Sequence, residues 1–199
     1  MTAGRRLSVH RGNDVIANTN TDWGWPAKLL HWLGAILILL LLGHGWWMTH
    51  MAARPDRLAH YAGHAGLGYD FLALLIVRLL WRWTHTVPAL PAELPMWERL
   101  SAQASHVGLY LLMLASTLTG WALAGTFRVP LDKDAFGLLI PPIYTSQDRA
   151  MHQLFEQWHE WLSYALAVLL LVHIVAALRH HLIKKTDVMR RMWVGMKRV

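Results

Sequence analysis

The chain has 199 residues, of which 55% are hydrophobic and 16% are charged, with twelve Trp and a formal net charge of +7. Soluble domains carry about 45–50% apolar and about 25% charged residues, so this composition excludes a disordered chain and argues against a typical soluble enzyme. The absence of Cys excludes disulfides, thiolate metal sites, Cys nucleophiles and a covalently attached c-type haem. The hydropathy favours anionic lipid over nucleic acid as the partner of the basic charge, and we expect no nucleic-acid partner.

Four apolar runs are each long enough for a membrane helix, which needs about 20 residues. In chain order they cover approximately residues 27–48, 58–83, 104–127 and 155–178. The first run follows a long polar lead that contains acidic residues, and no small-residue cleavage site follows it, so we interpret it as a retained helix and not a signal peptide. The second run is the weakest, because Asp70 lies inside it.

These runs predict an all-α fold, namely an integral membrane four-helix bundle. We divide the chain into an N-terminal segment (1–26), a transmembrane domain (27–181) and a basic tail (182–199). The loop at 128–154 is expected to form an irregular external cap, and the Pro-rich linker at 84–96 a stiff connection.

The distribution of Lys and Arg predicts which side of the membrane each loop occupies, because cytoplasmic loops carry the excess of these residues. Most of them lie in the lead, the linker region and the tail: Arg5, Arg6, Arg11, Lys28, Arg78, Arg82, Arg99, Arg179, Lys184, Lys185, Arg190, Arg191, Lys197 and Arg198. The remaining loops hold Arg54, Arg57, Arg128, Lys133 and Arg149. Both termini are therefore predicted to be cytoplasmic.

Four of the thirteen His are the main candidates for function, and each lies within a predicted helix: His31, His64, His159 and His173. Ionisable residues inside a membrane bundle are costly and are functional candidates by default. The alternative is a packing role, in which each imidazole bonds to a neighbouring hydroxyl or carbonyl group.

His159 and His173 are 14 residues apart on one predicted helix. At about 100° and 1.5 Å per residue they project from one face, roughly 21 Å apart along the axis. Their depths pair His64 with His159 near the outer side and His31 with His173 near the inner side. Two cross-helix His pairs at two levels are what two non-covalent haems with two axial imidazoles each would require. Zinc is the competing metal, but a four-coordinate zinc site needs its ligands in one cluster.

Small residues accompany the predicted ligands. Gly63, Gly66 and Gly68 surround His64, and Ala176 and Ala177 follow His173. They would allow close backbone approach to a flat cofactor, although small residues also line ordinary contacts between membrane helices.

The sequence resembles the bacterial cytochrome b561 family, which is related to the cytochrome b subunits of hydrogenases and formate dehydrogenases. The matching segments are KLLHWLGAILIL around His31, AHYAGHAGLGYDFLALLIVRLLWRW around His64, ASHVGLYLLMLASTLTGWAL around His106, AFGLLIPP, and EQWHEWLSYALAVLLLVHIVAALRHH with His159 and His173. The resemblance implies a four-helix bundle in the bacterial inner membrane that holds two b haems through the same four His as axial ligands of the iron. Thr117 stands where the family often has a proline.

Two further residues are candidates near these sites. His106 begins the third run at the inner level and is either an alternative axial ligand or a contact to a haem propionate or a quinone. Arg78 is a candidate for the same contacts, and the alternative for this residue is a solvated interaction with lipid phosphates. No catalytic residue is assigned, and Asp70 receives no role.

Three functions are compatible with this pattern. Family resemblance favours an oxidoreductase that oxidises superoxide at the outer face and reduces ubiquinone. The second function is an electron-transfer subunit that links a periplasmic hydrogenase or dehydrogenase partner to the quinone pool. The third is a non-redox bundle with structural His. No phosphate-binding or dinucleotide-binding motif is present, so no flavin or nicotinamide domain is expected.

Overall fold

The computed structural model describes residues 16–50, 56–91, 93–128, 134–135 and 138–193. Within this part of the chain the structure has four long helices, α1 (Trp25–His50), α2 (Arg57–Thr84), α3 (Met96–Ala124) and α4 (Arg149–Leu182), followed by the short α5 (Val188–Met192). All four long helices have the length and apolar composition needed to cross a membrane. The predicted all-α fold with four membrane-length helices is confirmed.

A short antiparallel pairing interrupts the loop between α3 and α4. Strand β1 (Asp134–Ala135) pairs with β2 (Leu138–Leu139), with Asp134 opposite Leu139. Several basic residues used for the predicted orientation lie outside the described residues: Arg5, Arg6, Arg11, Arg54, Lys133, Lys197 and Arg198.

The helices extend beyond the apolar runs that predicted them. Helix α3 begins at Met96, directly after Pro95, and its first turns carry Glu98 and Arg99. Helix α4 begins at Arg149 because Asp148 caps it, with the Asp148 side chain accepting a hydrogen bond from the backbone N–H of Ala150 at 2.9 Å. The loop between α3 and α4 is correspondingly shorter than the cap expected from the sequence.

The helices associate as two close pairs. Backbone packing is most extensive between α3 and α4 and between α1 and α2, and α2 packs less extensively on α3. Helix α4 meets α1 and α2 mainly through side chains. A gap therefore separates α4 from the α1–α2 pair, and residues that bridge it determine what the bundle can hold.

Two ends of the bundle can be distinguished by the helix termini. We call the end at which α1 begins and α4 ends the lower end, and the opposite end the upper end. The hydrophobic core lies between them and includes Phe71 and Leu75 of α2, Met113 of α3 and Leu166 of α4. Leu166 is 1% exposed and lies seven residues from both His159 and His173, so it shares their helix face.

The chain after α4 folds back across the lower end. Trp32 of α1 donates a hydrogen bond from Nε1 to the carbonyl oxygen of Met192 at 2.9 Å, and the Trp32 and Trp193 rings are in edge contact. Arg191 donates to the carbonyl oxygen of Ala89 at 2.8 Å. These contacts connect the segment around α5 to α1 and to the linker between α2 and α3.

Candidate functional site

The upper His pair bridges the gap between α2 and α4. The ring centres of His64 and His159 are 6.1 Å apart. Nδ1 of His159 donates a hydrogen bond to the backbone carbonyl oxygen of Ser116 at 2.8 Å. Because a carbonyl oxygen only accepts, the proton of His159 is on Nδ1, and Nε2 keeps a free lone pair. Metal-binding His residues are oriented by the same kind of bond.

His64 lacks a comparable partner. Its Nδ1 is buried and forms no hydrogen bond with the described residues. The ring of His44 on α1 lies 5.8 Å away, and the His60 ring lies 5.7 Å beyond His44. The proximity of His44 to His64 is not evident from spacing along one helix, because the two residues lie on different helices. A buried imidazole with an unpaired nitrogen is suited to binding a ligand.

Glycines of α1 and α3 lie against the upper imidazoles. A Cβ atom added at Gly63 or Gly68 would meet no atom within 4 Å, so the space beside these two glycines is open. A Cβ added at Gly45 of α1 would lie 3.2 Å from the ring of His64, and one at Gly120 of α3 would lie 2.9 Å from the ring of His159.

Three imidazoles meet at the lower level. The ring centres of His31 and His173 are 6.5 Å apart, and those of His106 and His173 are 5.5 Å apart. His173 is therefore common to both possible pairs. The structure brings together all the His predicted for this level.

Arg78 of α2 lies beside the lower cluster. Its Nη2 donates a hydrogen bond to Nδ1 of His31 at 2.9 Å, and its guanidinium lies 5.4 Å from the ring centre of Tyr110. Arg82, one turn further along α2, lies over the rings of Tyr110 and Trp23. Arg78 is thus directed into the bundle, whereas lipid-facing Arg side chains extend toward the membrane surface.

The spacing of both pairs fits a metal held between opposed imidazoles. A transition metal lies about 2 Å from each imidazole nitrogen, and each nitrogen lies about 1 Å from its ring centre, which predicts ring centres roughly 6 Å apart. His64 with His159, at 6.1 Å, and His31 with His173, at 6.5 Å, both agree with this value. The gap beside α4, the orphaned Nδ1 of His64 and the oriented His159 ring also suit a haem with imidazole on each face.

A zinc site would need a cluster of several ligands. In the part of the chain that the structure describes, no group of three or more His, Asp or Glu residues could hold a metal ion. His152, which lies seven residues before His159 on α4, has its Nδ1 at 2.7 Å from Oγ1 of Thr126.

The site and fold define a class, a membrane-spanning four-helix protein with paired His at two depths. Residues 22–195 match the family described as prokaryotic cytochrome b561. The chain is 32% identical over 178 residues to cytochrome b561 homolog 2 of Escherichia coli (strain K12). This alignment covers 88% of this chain and 93% of that protein. The chain is 25% identical over 171 residues to cytochrome b561 homolog 1 of the same organism, covering 82% and 92% respectively.

The chain belongs to the prokaryotic cytochrome b561 family. Family membership implies haem b binding and electron transfer in a membrane. The resemblance deduced from the sequence is confirmed.

Proposed function

We propose that the chain holds two b haems and transfers electrons between the periplasmic side of the bacterial inner membrane and the quinone pool. His64 and His159 would hold the upper haem, and His31 and His173 the lower one. The observation that carries this proposal is the His159 ring, which is oriented by the Ser116 carbonyl with its Nε2 free and lies 6.1 Å from His64.

Each bound haem b would supply a one-electron iron couple, and two axial imidazoles favour electron transfer over oxygen binding. The chain's own residues set the conditions for that chemistry. The carbonyl of Ser116 orients His159, and the core around Phe71 and Leu166 excludes water between the levels. His106 and Arg78, which lie beside His173 and His31, would contact haem propionates or a quinone at the lower level.

The orientation proposed from the charges makes the lower end cytoplasmic. Of the described basic residues, Arg78, Arg82, Arg99, Arg179, Lys184, Lys185, Arg190 and Arg191 lie in the lower halves of the helices or beyond their lower ends. The upper end, with Arg57, Arg128 and Arg149, would face the periplasm. Electrons would accordingly enter on the side of His64 and His159.

We propose superoxide as the electron donor and ubiquinone as the acceptor. Two superoxide anions each lose one electron to become O₂, and one ubiquinone takes up two electrons and two protons to become ubiquinol. Asp132, Asp134 and Asp148 offset much of the positive charge at the upper end, so a local patch of positive side chains would attract the small anion. Such attraction weakens as salt shortens the Debye length from about 30 Å at 0.01 M to about 10 Å at 0.1 M.

The test is stopped-flow reduction of the haem by a superoxide pulse, at several ionic strengths and with or without ubiquinone. We expect reduction faster than the spontaneous loss of superoxide, slower at high salt, and abolished by prior addition of superoxide dismutase. The matched control is His159→Ala. A haem that superoxide does not reduce, but that a co-purifying dehydrogenase or hydrogenase reduces, would instead identify the chain as an electron-transfer subunit.

A further inference from the structure

Two glycines from neighbouring helices contact the imidazoles of the upper pair. A Cβ atom at Gly120 would lie 2.9 Å from Cε1 and 3.1 Å from Nδ1 of His159. A Cβ atom at Gly45 would lie 3.2 Å from Cε1 of His64. Since Cε1 is bonded to both ring nitrogens, a group that displaces Cε1 also displaces the nitrogen that faces a metal.

We propose that Gly45 and Gly120 are positioning residues for the upper haem site, because the absence of a side chain at each sets the position of the opposing imidazole. This inference rests on the proposed role of His64 and His159 as axial ligands. It assigns a function to glycines on α1 and α3, the two helices that contribute no axial ligand to the upper level.

The surroundings of Gly120 show why the absence of a side chain there affects the position of the His159 ring. Ser116 precedes Gly120 by four residues, one turn along the same face of α3, and its carbonyl accepts the hydrogen bond from Nδ1 of His159. On α4, Ser163 follows His159 by four residues, and its Oγ lies 3.0 Å from Oγ of Ser116. Small side chains thus bring α3 and α4 close together, and the His159 ring lies on Gly120 while it bonds to Ser116.

A methyl group at Gly120 has little space to enter this contact. At 2.9 Å from Cε1 it would push the ring away from α3 and lengthen the bond to the Ser116 carbonyl. Well-packed interiors respond to such added groups with shifted side chains and backbone. The displaced ring would no longer direct Nε2 toward the proposed metal position between His159 and His64.

Other glycines of the same helices serve as matched controls because they do not contact His. A Cβ at Gly43 of α1 would meet no atom within 4 Å. A Cβ at Gly108 of α3 would lie 3.0 Å from Cδ2 of Leu169, a flexible side-chain end, and this distance is similar to that at Gly120. Substitution at Gly108 therefore introduces a comparable steric contact on the same helix without touching an imidazole.

The experiment compares Gly45→Ala and Gly120→Ala with Gly43→Ala, Gly108→Ala and His159→Ala in the full chain. Haem per chain is measured by the pyridine haemochrome method, and the axial geometry by electron paramagnetic resonance of the oxidised haems. Elution as a single species and helical circular dichroism report whether each variant folds. We expect Gly120→Ala to lower the affinity for the upper haem by about tenfold or more, the range seen when partners of metal ligands are altered.

Gly45→Ala should change the low-spin signal of the upper haem with a smaller loss of haem, because its contact is longer. Both control glycine variants should keep the haem content and spectrum of the wild type. If Gly120→Ala fails to fold, the comparison of Gly45→Ala with Gly43→Ala decides the question alone.

Two results would overturn the inference. One is loss of the upper haem in Gly108→Ala equal to that in Gly120→Ala, which would indicate general helix packing. The other is an unchanged haem content and spectrum in both Gly45→Ala and Gly120→Ala while His159→Ala loses the haem. Retention of the upper haem in His159→Ala would instead refute the proposed ligands themselves.

Discussion

Arg78 donates a hydrogen bond to Nδ1 of His31 at 2.9 Å, from α2 to α1. A guanidinium only donates, so Nδ1 of His31 accepts, and the proton of the neutral ring is on Nε2. His159 has the opposite arrangement, because the Ser116 carbonyl holds its proton on Nδ1. Binding of iron through Nε2 of His31 would therefore require Arg78 to release this ring, after which its guanidinium could pair with a haem propionate.

The Arg78→Leu variant should have a lower midpoint potential at the lower haem. A positive charge beside the iron favours the reduced state, and its removal in a low-dielectric interior should shift the potential by on the order of 60 mV, equivalent to a tenfold change for one electron. Redox titration of the purified protein, followed in the α band, measures the two haems separately. Arg82→Gln, one turn further from His31, is the control. Equal shifts of both haems would contradict a local role for Arg78.

The purified chain should contain two haems, and acid–acetone should extract both completely. The reason for complete extraction is the absence of Cys, which leaves no thioether attachment. The measurement is haem content against protein concentration, followed by the absorbance that remains in the precipitated protein. About one haem per chain, lost equally on substitution of His64 or His173, would refute sites at two levels.

Substitution of the four His should divide them into two pairs. His64→Ala and His159→Ala should remove the same spectral component, and His31→Ala and His173→Ala the other. The ring centres of the oriented upper pair are 6.1 Å apart. The His31–His173 distance of 6.5 Å is closer to this value than the His106–His173 distance of 5.5 Å. We therefore expect His106→Ala to keep both haems. Low-temperature spectra separate the two components. Loss of the lower haem in His106→Ala, with His173→Ala unaffected, would reverse this assignment.

Glu98→Gln should lower the thermal stability of the bundle. Glu98 is 6% exposed and accepts hydrogen bonds from Arg179, at 3.3 Å, and from Lys184, so it connects the start of α3 to the end of α4. Removal of its charge leaves both cations without their counter-ion. We expect the midpoint of thermal unfolding in detergent to fall by a few degrees. Glu160→Gln, on the exposed surface of α4, should leave it unchanged, and an equal fall in both variants would contradict the prediction.

The membrane helices could be predicted from the sequence because hydropathy reports the part of each helix that contacts lipid. It does not report helical residues beyond that layer, so the apolar run that begins at about Ala104 does not indicate that α3 starts eight residues earlier, at Met96. Asp148 is a recognisable cap residue, but the apolar run of α4 begins several residues after it.

The pairing of His64 with His159 and of His31 with His173 could be predicted because depth is a function of position along each helix. Contacts between helices also depend on rotation and on which helices are neighbours, and spacing along one helix contains neither. For this reason sequence spacing draws attention to the glycines beside His64 and does not indicate Gly45 and Gly120, which lie against the rings. The same limit applies to the contact between His44 and His64.

If electrons pass between the two levels as proposed, the 14-residue spacing on α4 also determines how strongly membrane voltage acts on their transfer. An electron that moves between the levels travels roughly 21 Å along the axis, about two thirds of a hydrocarbon layer that is about 30 Å thick. Because one charge that crosses the whole membrane changes energy by about 2.3 kcal/mol per 100 mV, the distribution of an electron between the levels changes by about 1.6 kcal/mol per 100 mV. In the proposed orientation, a negative cell interior would hold the electron on the His64–His159 side, so an energised membrane would oppose its transfer to the level of His173.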